Sequence, residues 1–517
     1  MSLHPAPVPN LYPTHTRPYL LAMRLTLAPL LIIALGITTL LSTGPAAAQP
    51  SAETSLVRVN VTSQSYNFLR PWEKKAPSTR RGLGAVLEGE KVITTAELVA
   101  NATYLELEMP DTGEKVTADI AGIDYEANLA VLTPDSDASD FLASRVPLEI
   151  ASEATVGDTL EIWQIEDNGT PVATSVKIIK VDIGPYFLDS SYFLTYEVYG
   201  ALQSRSGSFT LPVVKDGKLA GLLLGYSSDD QVSDVLASPI IERFLEELKK
   251  DEYTGFPHLG VNYAQTLDEQ LRGYAGLNGH EGGVYITKVV KGSSADDAGL
   301  EVGDVLLKLG DYEIDSRGNY DHPLYGKINL SHIVRGGAST GDVIPIEILR
   351  DGKPLTLEAT LKHKRPEDYL VDPYMFNRGP RFLTEGGLIF QELTLPYLKS
   401  WGGKWRTQAP FKLMYINANQ EEFEENGRDK VVFLSQVLRT PSTLGYERLS
   451  HLIVTKVNDR EINNIRDLDQ ALKSPIDGIH KIEFDSFPRM IFVDAEEAAA
   501  VNQQLLQLGI PELKRLD

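Results

Sequence analysis

The residues that could do chemistry in the first half of the chain are hydroxyls and carboxylates, because no histidine occurs from residue 49 to residue 257. A serine hydrolase needs an imidazole that takes the proton from its serine and returns it to the leaving group. Without that base, a serine hydroxyl is a poor nucleophile near neutral pH. The chain also contains no cysteine, which excludes disulfides, thiolate zinc sites and a cysteine nucleophile. Ordinary serine or cysteine hydrolysis is therefore not expected from this half.

The elements that would position such residues follow from the pattern of short apolar runs. Runs rich in β-branched residues alternate with Gly, Asp and Asn turns over residues 55–236, which predicts an all-β barrel or sandwich. Residues 239–250 have their apolar side chains on one face and predict an amphipathic helix. Two further β-rich units follow at 255–365 and 376–517, and the second closes with a helix-forming stretch over residues 495–508.

Composition limits the kind of partner. A chain of 517 residues has room for three or four domains. Its formal net charge of -22 and sequence pI near 4.9 argue against a nucleic acid, which would be repelled. The same charge favours solubility and suits basic or unfolded protein partners.

The first 48 residues carry the pattern of a secretory signal. Arg24 precedes an apolar run over residues 25–41, and the small residues 46–48 follow, so cleavage is expected after Ala48. The residues before Met23 do not fit this pattern, and Met23 is the expected start of translation. The alternative is that the first 22 residues are an unusual extension. The expectation is an exported protein, periplasmic or secreted. The alternative is a retained membrane anchor, although the run is slightly short for a full span.

Three segments in the unit at 255–365 resemble the signature of a PDZ domain. Residues 283–289 form a strand pattern, residues 294–300 a helix with inward Ala and Leu, and residues 302–307 a Gly-Asp turn that leads into another strand. We call the unit at 255–365 PDZ1. Its Leu259-Gly260-Val261 resembles the loop that receives a peptide's terminal carboxylate while the peptide adds a strand to the sheet edge. The alternative is a β-rich domain without a ligand.

The chain from about residue 55 onward resembles the plant-type branch of the Deg/HtrA serine proteases. The resemblance is carried by the aromatic entry segment 67–75, by the junction 253–257 and by the segments 395–398, 445–447 and 482–485. It implies a mainly β chain: a chymotrypsin-like double β-barrel at 55–250, PDZ1 at 255–365, and a degenerate PDZ-like α+β domain at 376–517, which we call PDZ2.

The same resemblance identifies the triad positions and their replacements. The family's T-x-x-H-V-V motif aligns with residues that put Glu97 in place of the histidine, and its D-I-A-L-L motif puts Asn128 in place of the aspartate. The G-N-S-G-G motif aligns with a segment in which either Ser206 or Ser208 matches the nucleophile, and Arg205 replaces the asparagine. The resemblance therefore implies a degenerate, proteolytically inactive site with an altered oxyanion hole.

Oligomers are a further implication of the resemblance, since protease domains of this family form trimers. The N-terminal aromatics Tyr66, Phe68 and Trp72 are the candidates for the contact between subunits. The alternative is that they pack on their own barrel. No cofactor and no metal is expected, because the histidines beyond residue 257 are scattered without metal-ligand spacing.

Three functions follow, in order of preference. The first is an exported, inactive Deg/HtrA-like protein that binds peptide termini or unfolded chains through PDZ1, as a scaffold, chaperone or regulator. The second is a working serine endopeptidase with a rebuilt site around Ser206, in which Glu97 acts as the base or Lys74 or Lys75 takes that part. The third is a structural envelope protein whose PDZ-like units mediate assembly.

Overall fold

The fold is described from a computed structural model, which covers residues 49–138, 140–202, 210–277, 279–424 and 427–517. The predicted signal segment at 1–48 and both candidate serines, Ser206 and Ser208, lie outside these residues. Among the residues covered, no helix is both long and apolar enough to cross a bilayer.

The first six strands close into an antiparallel barrel, because β1 pairs with β2 on one side and with β4 on the other. The order around it is β1-β2-β3-β6-β5-β4. Its interior is apolar and includes Val59, Val92 and Leu107, none of which is exposed. The strands are β1 (Leu56–Ser63), β2 (Ser78–Leu87), β3 (Lys91–Thr94), β4 (Ala102–Glu108), β5 (Lys115–Asp124) and β6 (Leu129–Pro134).

A second antiparallel barrel follows in the order β10-β11-β12-β9-β8-β7, closed by the pairing of β10 with β7. The expected double barrel is thus confirmed. The strands are β7 (Thr159–Ile165), β8 (Pro171–Pro185), β9 (Tyr192–Tyr199), β10 (Pro212–Lys215), β11 (Lys218–Ser227) and β12 (Val232–Ala237). Helices of this half are α1 (Ala52–Ser55), α2 (Ala96–Val99) and α3 (Ser238–Glu247), with a 3-10 turn at Ser136–Ala138. Helix α3 buries Ile240, Ile241 and Phe244.

PDZ1 has a sheet in which β13, the strand that begins at Val261 of the predicted peptide loop, lies at one edge. The order is β13-β14-β15-β19-β20, with β16 paired to β15 and a separate hairpin of β17 and β18. Strands are β13 (Val261–Gln265), β14 (Val284–Val289), β15 (Val305–Leu309), β16 (Tyr312–Glu313), β17 (Asn319–His322), β18 (Gly326–Asn329), β19 (Val343–Arg350) and β20 (Lys353–Thr360). Helices are α4 (Glu269–Tyr274), α5 (Ser294–Asp297) and α6 (Ser331–Arg335).

PDZ2 has a longer sheet, in the order β27-β26-β24-β23-β22-β21-β28, with β25 paired to β24. Strands are β21 (Phe382–Glu385), β22 (Leu388–Glu392), β23 (Val432–Val437), β24 (Leu452–Val457), β25 (Arg460–Glu461), β26 (Ile479–Phe484), β27 (Met490–Asp494) and β28 (Lys514–Arg515). Helices are α7 (Leu395–Lys399), α8 (Trp405–Gln408), α9 (Phe411–Ala418), α10 (Gln420–Glu424), α11 (Ile465–Leu472) and α12 (Ala495–Gln507). Two 3-10 turns lie at Pro366–Asp368 and Pro441–Thr443.

Candidate functional site

The structure brings Glu97 and Asn128, two of the three predicted triad positions, into contact. Glu97 is on the short helix α2, and its backbone N–H donates to the Asn128 Oδ1 at 2.8 Å. Asn128 is 2% exposed and has φ +54, a left-handed conformation that asparagine tolerates. The amide oxygen is therefore engaged with the backbone of α2.

The Glu97 carboxyl is half-buried, and this burial raises its pKa although the nearby Arg80 lowers it. Arg80 Nη1 also donates to the Glu97 backbone oxygen at 2.9 Å. A carboxyl with a raised pKa is a somewhat better base than a free one, but a catalytic base works best with a pKa near the operating pH, where an imidazole titrates without any shift. The geometry thus gives Glu97 only part of what an imidazole does.

Thr210, the first described residue after the segment with the candidate serines, contacts the residue before the Glu97 helix. Thr95, which precedes α2, has its Oγ1 2.5 Å from the Oγ1 of Thr210, and both residues are buried. Thr210 has φ +54 and follows the serine segment directly. Ser206 and Ser208 lie outside the described residues, so their assignment as the nucleophile position remains a prediction.

The predicted peptide loop lies in a groove of about 720 Å³ between the edge strand β13 and helix α6. The wall includes Leu259, Gly260 and Val261 together with Val334 and Arg335 of the helix. Among the described residues, the backbone N–H groups of Leu259 and Gly260 have no acceptor. Such free amides beside a free strand edge are what a terminal carboxylate and an added strand require.

The aromatic entry segment contacts PDZ2 rather than its own barrel. The Trp72 ring lies 6.2 Å from the ring of Phe382 on β21, and Phe68 packs on the apolar cluster around Leu393 and Tyr397. The Tyr66 ring receives the guanidinium of Arg515 at 4.7 Å. This contact with PDZ2 differs from both expectations for these aromatics, a contact between subunits and packing on their own barrel. A contact of these residues with a second copy remains a prediction.

A charged cluster that the sequence did not indicate joins the first barrel to both ends of PDZ1. Glu126, two residues before Asn128, has its Oε2 2.8 Å from His258 Nε2 and its Oε1 3.4 Å from His363 Nε2. Arg335 Nη2 donates to the same Oε2 at 2.7 Å. The two histidines are separated by the whole of PDZ1 in sequence, so spacing alone could not reveal their convergence.

The electrostatics of this cluster follow from burial and from the charges around it. Burial alone would raise the pKa of Glu126, but His258 and Arg335 hold that pKa well below its usual range. Burial and Arg335 lower the pKa of His258, whereas contact with Glu126 raises the pKa of His363 despite its burial. Burial next to Glu126 raises the pKa of Asp124. The cluster thus holds two buried carboxylates against one guanidinium.

Comparisons with known proteins identify two PDZ domains and relatives among proteases. PDZ-domain family models match residues 257–361 and residues 371–512. A putative protease Do-like 3, mitochondrial, of Arabidopsis thaliana is 24% identical over 88% of this chain and 78% of its own length. Protease Do-like 2, chloroplastic, of the same plant is also 24% identical, over 90% of this chain and 75% of its own.

Among solved structures, an HtrA-type protease AlgW with decapeptide aligns with a TM-score of 0.45 and 18% identity. The alignment covers 61% of this chain and 97% of that one.

Proposed function

The chain belongs to the Deg/HtrA family, and from this premise we propose that it works without proteolysis and binds the termini of peptides or unfolded proteins through PDZ1. It would serve as a scaffold, chaperone or regulator in envelope protein quality control. The observation that carries the proposal is Glu97, which occupies the expected histidine position in a half of the chain that has no histidine. If the barrel does not cleave peptides, binding at the PDZ1 groove is the function that is left to the chain.

The proposal of inactivity is supported by the contacts of the triad positions. Asn128 cannot stabilise an imidazolium by charge, and its Oδ1 accepts from the Glu97 N–H. For the barrel to cleave a peptide bond, other groups would have to perform the roles of the triad histidine and aspartate.

Peptide binding is supported by the groove between β13 and α6. Val334 and Leu259 give it an apolar wall, while Arg335, Lys362 and Lys364 supply positive charge. The apolar wall suits an apolar last side chain, and the cations suit a free carboxylate. A peptide that ends in an apolar residue with a free carboxylate fits this combination.

The second candidate is an active serine endopeptidase around Ser206, which is favoured by the protease names of the relatives and by the raised pKa of Glu97. Degradation of casein by the purified chain separates the two. Wild type is run beside Ser206→Ala and Ser208→Ala. We expect no cleavage by any of the three. Cleavage by wild type that one alanine variant abolishes would overturn the inactive barrel and identify the nucleophile.

Binding is tested with a fluorescent hexapeptide that ends in valine, synthesised with a free carboxylate and with an amidated terminus. We expect fluorescence anisotropy to show that the free acid binds and that the amide binds at least about tenfold more weakly. A tenfold difference in affinity corresponds to about 1.4 kcal/mol of carboxylate recognition. Equal binding of acid and amide would exclude recognition of termini. Binding of neither would favour a purely structural role for the PDZ-like units.

Export to the periplasm or secretion, and assembly as a trimer or a multiple of it, are parts of the same proposal. Export rests on the signal pattern before Gln49, and assembly rests on the family resemblance. Fractionation of expressing cells and sedimentation of the purified chain are the direct tests. A cytoplasmic, monomeric protein would contradict both.

A further inference from the structure

We propose that Glu126, His258 and His363 form a binding site for a divalent transition-metal ion of the Zn²⁺ class. The three side chains come from the loop before β6, from the residue before the Leu259-Gly260-Val261 loop and from the segment that follows β20. One ligand atom of each lies within 4.8 Å of the other two. Two imidazoles and one carboxylate are a donor set that Zn²⁺ takes in proteins, with one position left open.

The distances are close to what such an ion needs. Bonds of about 2.0–2.1 Å in tetrahedral geometry place neighbouring ligand atoms about 3.3 Å apart. Glu126 Oε1 and His363 Nε2 are already 3.4 Å apart, and Glu126 Oε2 and His258 Nε2 at 2.8 Å need to separate by about half an ångström. Because the two imidazoles lie against different oxygens of Glu126, the carboxylate would bind the ion through both oxygens or rotate to offer one.

Arg335 holds the ligands without occupying the ion's position. Its Nη2 donates to Glu126 Oε2, and its Nη1 lies 2.7 and 3.0 Å from the two ring nitrogens of His258. Two such similar distances place Nη1 beside the face of the ring. The in-plane direction of Nε2, along which the ring would bind an ion, therefore points at the carboxylate and not at the guanidinium. The guanidinium also lies 4.1 Å from the centre of the Phe193 ring, which fixes it in place.

Glu126 and the neighbouring Asp124 are 9% and 6% exposed, so the site is shielded from solvent. Glu126 Oε2 and His258 Nε2 lie at a hydrogen-bond distance of 2.8 Å, and an ion between them must displace the proton that joins them. This proton leaves to solvent, because an imidazole nitrogen binds a metal through its lone pair.

Access to the site is provided by a cavity of about 820 Å³ whose wall includes Glu126 and His258. The open coordination position would face this cavity and take a water molecule. Because His258 adjoins the peptide loop and Glu126 adjoins Asn128, a bound ion would fix PDZ1 to the loop of the first barrel. The site shares His258 and Arg335 with the wall of the peptide groove, but peptide binding is proposed on the loop amides and the edge strand. Absence of a metal site would therefore leave the proposed function standing.

The test is calorimetric titration of Zn²⁺ into the purified, tag-free, chelator-treated full chain. We expect one site that His363→Gln and Glu126→Gln each weaken by more than about 100-fold, beyond the 10–100-fold that loss of an outer partner costs. His280→Gln, at an exposed histidine of the same domain, should leave that site unchanged. Co²⁺ in place of Zn²⁺ should give the visible absorption of a tetrahedral nitrogen–oxygen site in wild type.

A measurement on the unaltered protein protects the test against variants that fail to fold. Crystals soaked in Zn²⁺ should show an anomalous peak between Glu126 and the two histidines. Absence of a site in wild type, a stoichiometry that neither variant changes, or an anomalous peak elsewhere would overturn the proposal.

Discussion

PDZ1 and PDZ2 share a family signature but differ in what lies along the edge of the sheet. In PDZ1, β13 is the terminal strand, and the groove beside it is bordered by α6. In PDZ2, the strand after the Gly386-Gly387 turn, β22, is covered by β21, and β21 is covered by β28. An edge strand can accept a strand from a partner, whereas a paired strand cannot. PDZ1 leaves its edge strand unpaired, and PDZ2 has filled the corresponding place from its own chain.

The filled edge of PDZ2 also explains the contacts of the aromatic entry segment. Arg515 on β28 donates to the backbone oxygens of Pro71 and Pro380 and lies over the rings of Tyr66 and Phe382. A Cβ at Gly379 would come within 2.0 Å of the same guanidinium, so a side chain there would displace Arg515 from this position. PDZ2 therefore uses its edge to bind a segment of the first barrel.

The largest effect is expected at the PDZ1 loop, from Gly260→Ala. Gly260 has φ +83, and an added Cβ would lie 2.2 Å from the Cβ of Ser293. Left-handed strain of about 1–2 kcal/mol together with this clash should displace the loop amides. Affinity for the valine-terminated peptide should fall at least about tenfold in the anisotropy assay.

The matched control for this prediction is Gly292→Ala in the same domain. Gly292 has φ +70 but nothing within 4 Å of an added Cβ, so it carries the strain without the clash. Peptide affinity should stay close to wild type. Equal loss in both variants would mean that backbone strain anywhere in PDZ1, and not the position of the loop, controls binding.

The second effect is a loss of folding stability at acidic pH, and we expect it to come from His332 on α6 of PDZ1. Burial, with His322 and Arg243 nearby, lowers the pKa of His332 to about 4, while an unfolded histidine titrates near 6.5. Between these values the unfolded chain takes up a proton that the folded chain refuses, so stability falls as the pH falls. The loss should approach about 3 kcal/mol near pH 4. Tyr320, whose hydroxyl is 2.6 Å from His332 Nδ1, is neutral throughout.

Urea unfolding of wild type and His332→Gln at several values from pH 7 to pH 4.5 measures this effect. The variant should lose less stability than wild type as the solution is acidified. His280→Gln, at an exposed histidine of PDZ1, should follow wild type. Parallel curves for wild type and His332→Gln would show that the acid sensitivity lies elsewhere.

The sequence predicted PDZ1, with its open sheet edge, far better than it predicted the filled sheet edge of PDZ2. Strand alternation and the signature at 283–307 are local, so the double barrel and PDZ1 could be expected from them. The pairing of β28 involves only Lys514 and Arg515, which is too short for any periodic signal. The convergence of Glu126 with two histidines depends on the packing of separate domains. Local patterns contain no information about either arrangement.

The third effect should appear in PDZ2, where Arg515→Ala removes the link to the entry segment. Two ring contacts and two hydrogen bonds are lost, which should cost about 2 kcal/mol. Hydrogen exchange should become faster over residues 64–75 and over β21. Arg515→Lys keeps the charge but not the planar fork, so it should restore only part of the protection. Unchanged exchange over residues 64–75 would mean that Trp72 and Phe68 hold the segment alone.

The smallest effect is expected at Arg466, which contacts the two residues that follow β28. Its guanidinium donates to Asp517 Oδ1 at 2.8 Å, but the two side chains are 66% and 95% exposed. Solvent-exposed pairs contribute little, so Arg466→Ala should change the free energy of unfolding by no more than about 0.5 kcal/mol. Hydrogen exchange over β21 and residues 64–75 should match wild type. A loss as large as that of Arg515→Ala would show that β28 is held by its outer ion pair. The half-buried guanidinium of Arg515 would then not be what distinguishes the filled edge of PDZ2 from the open edge of PDZ1.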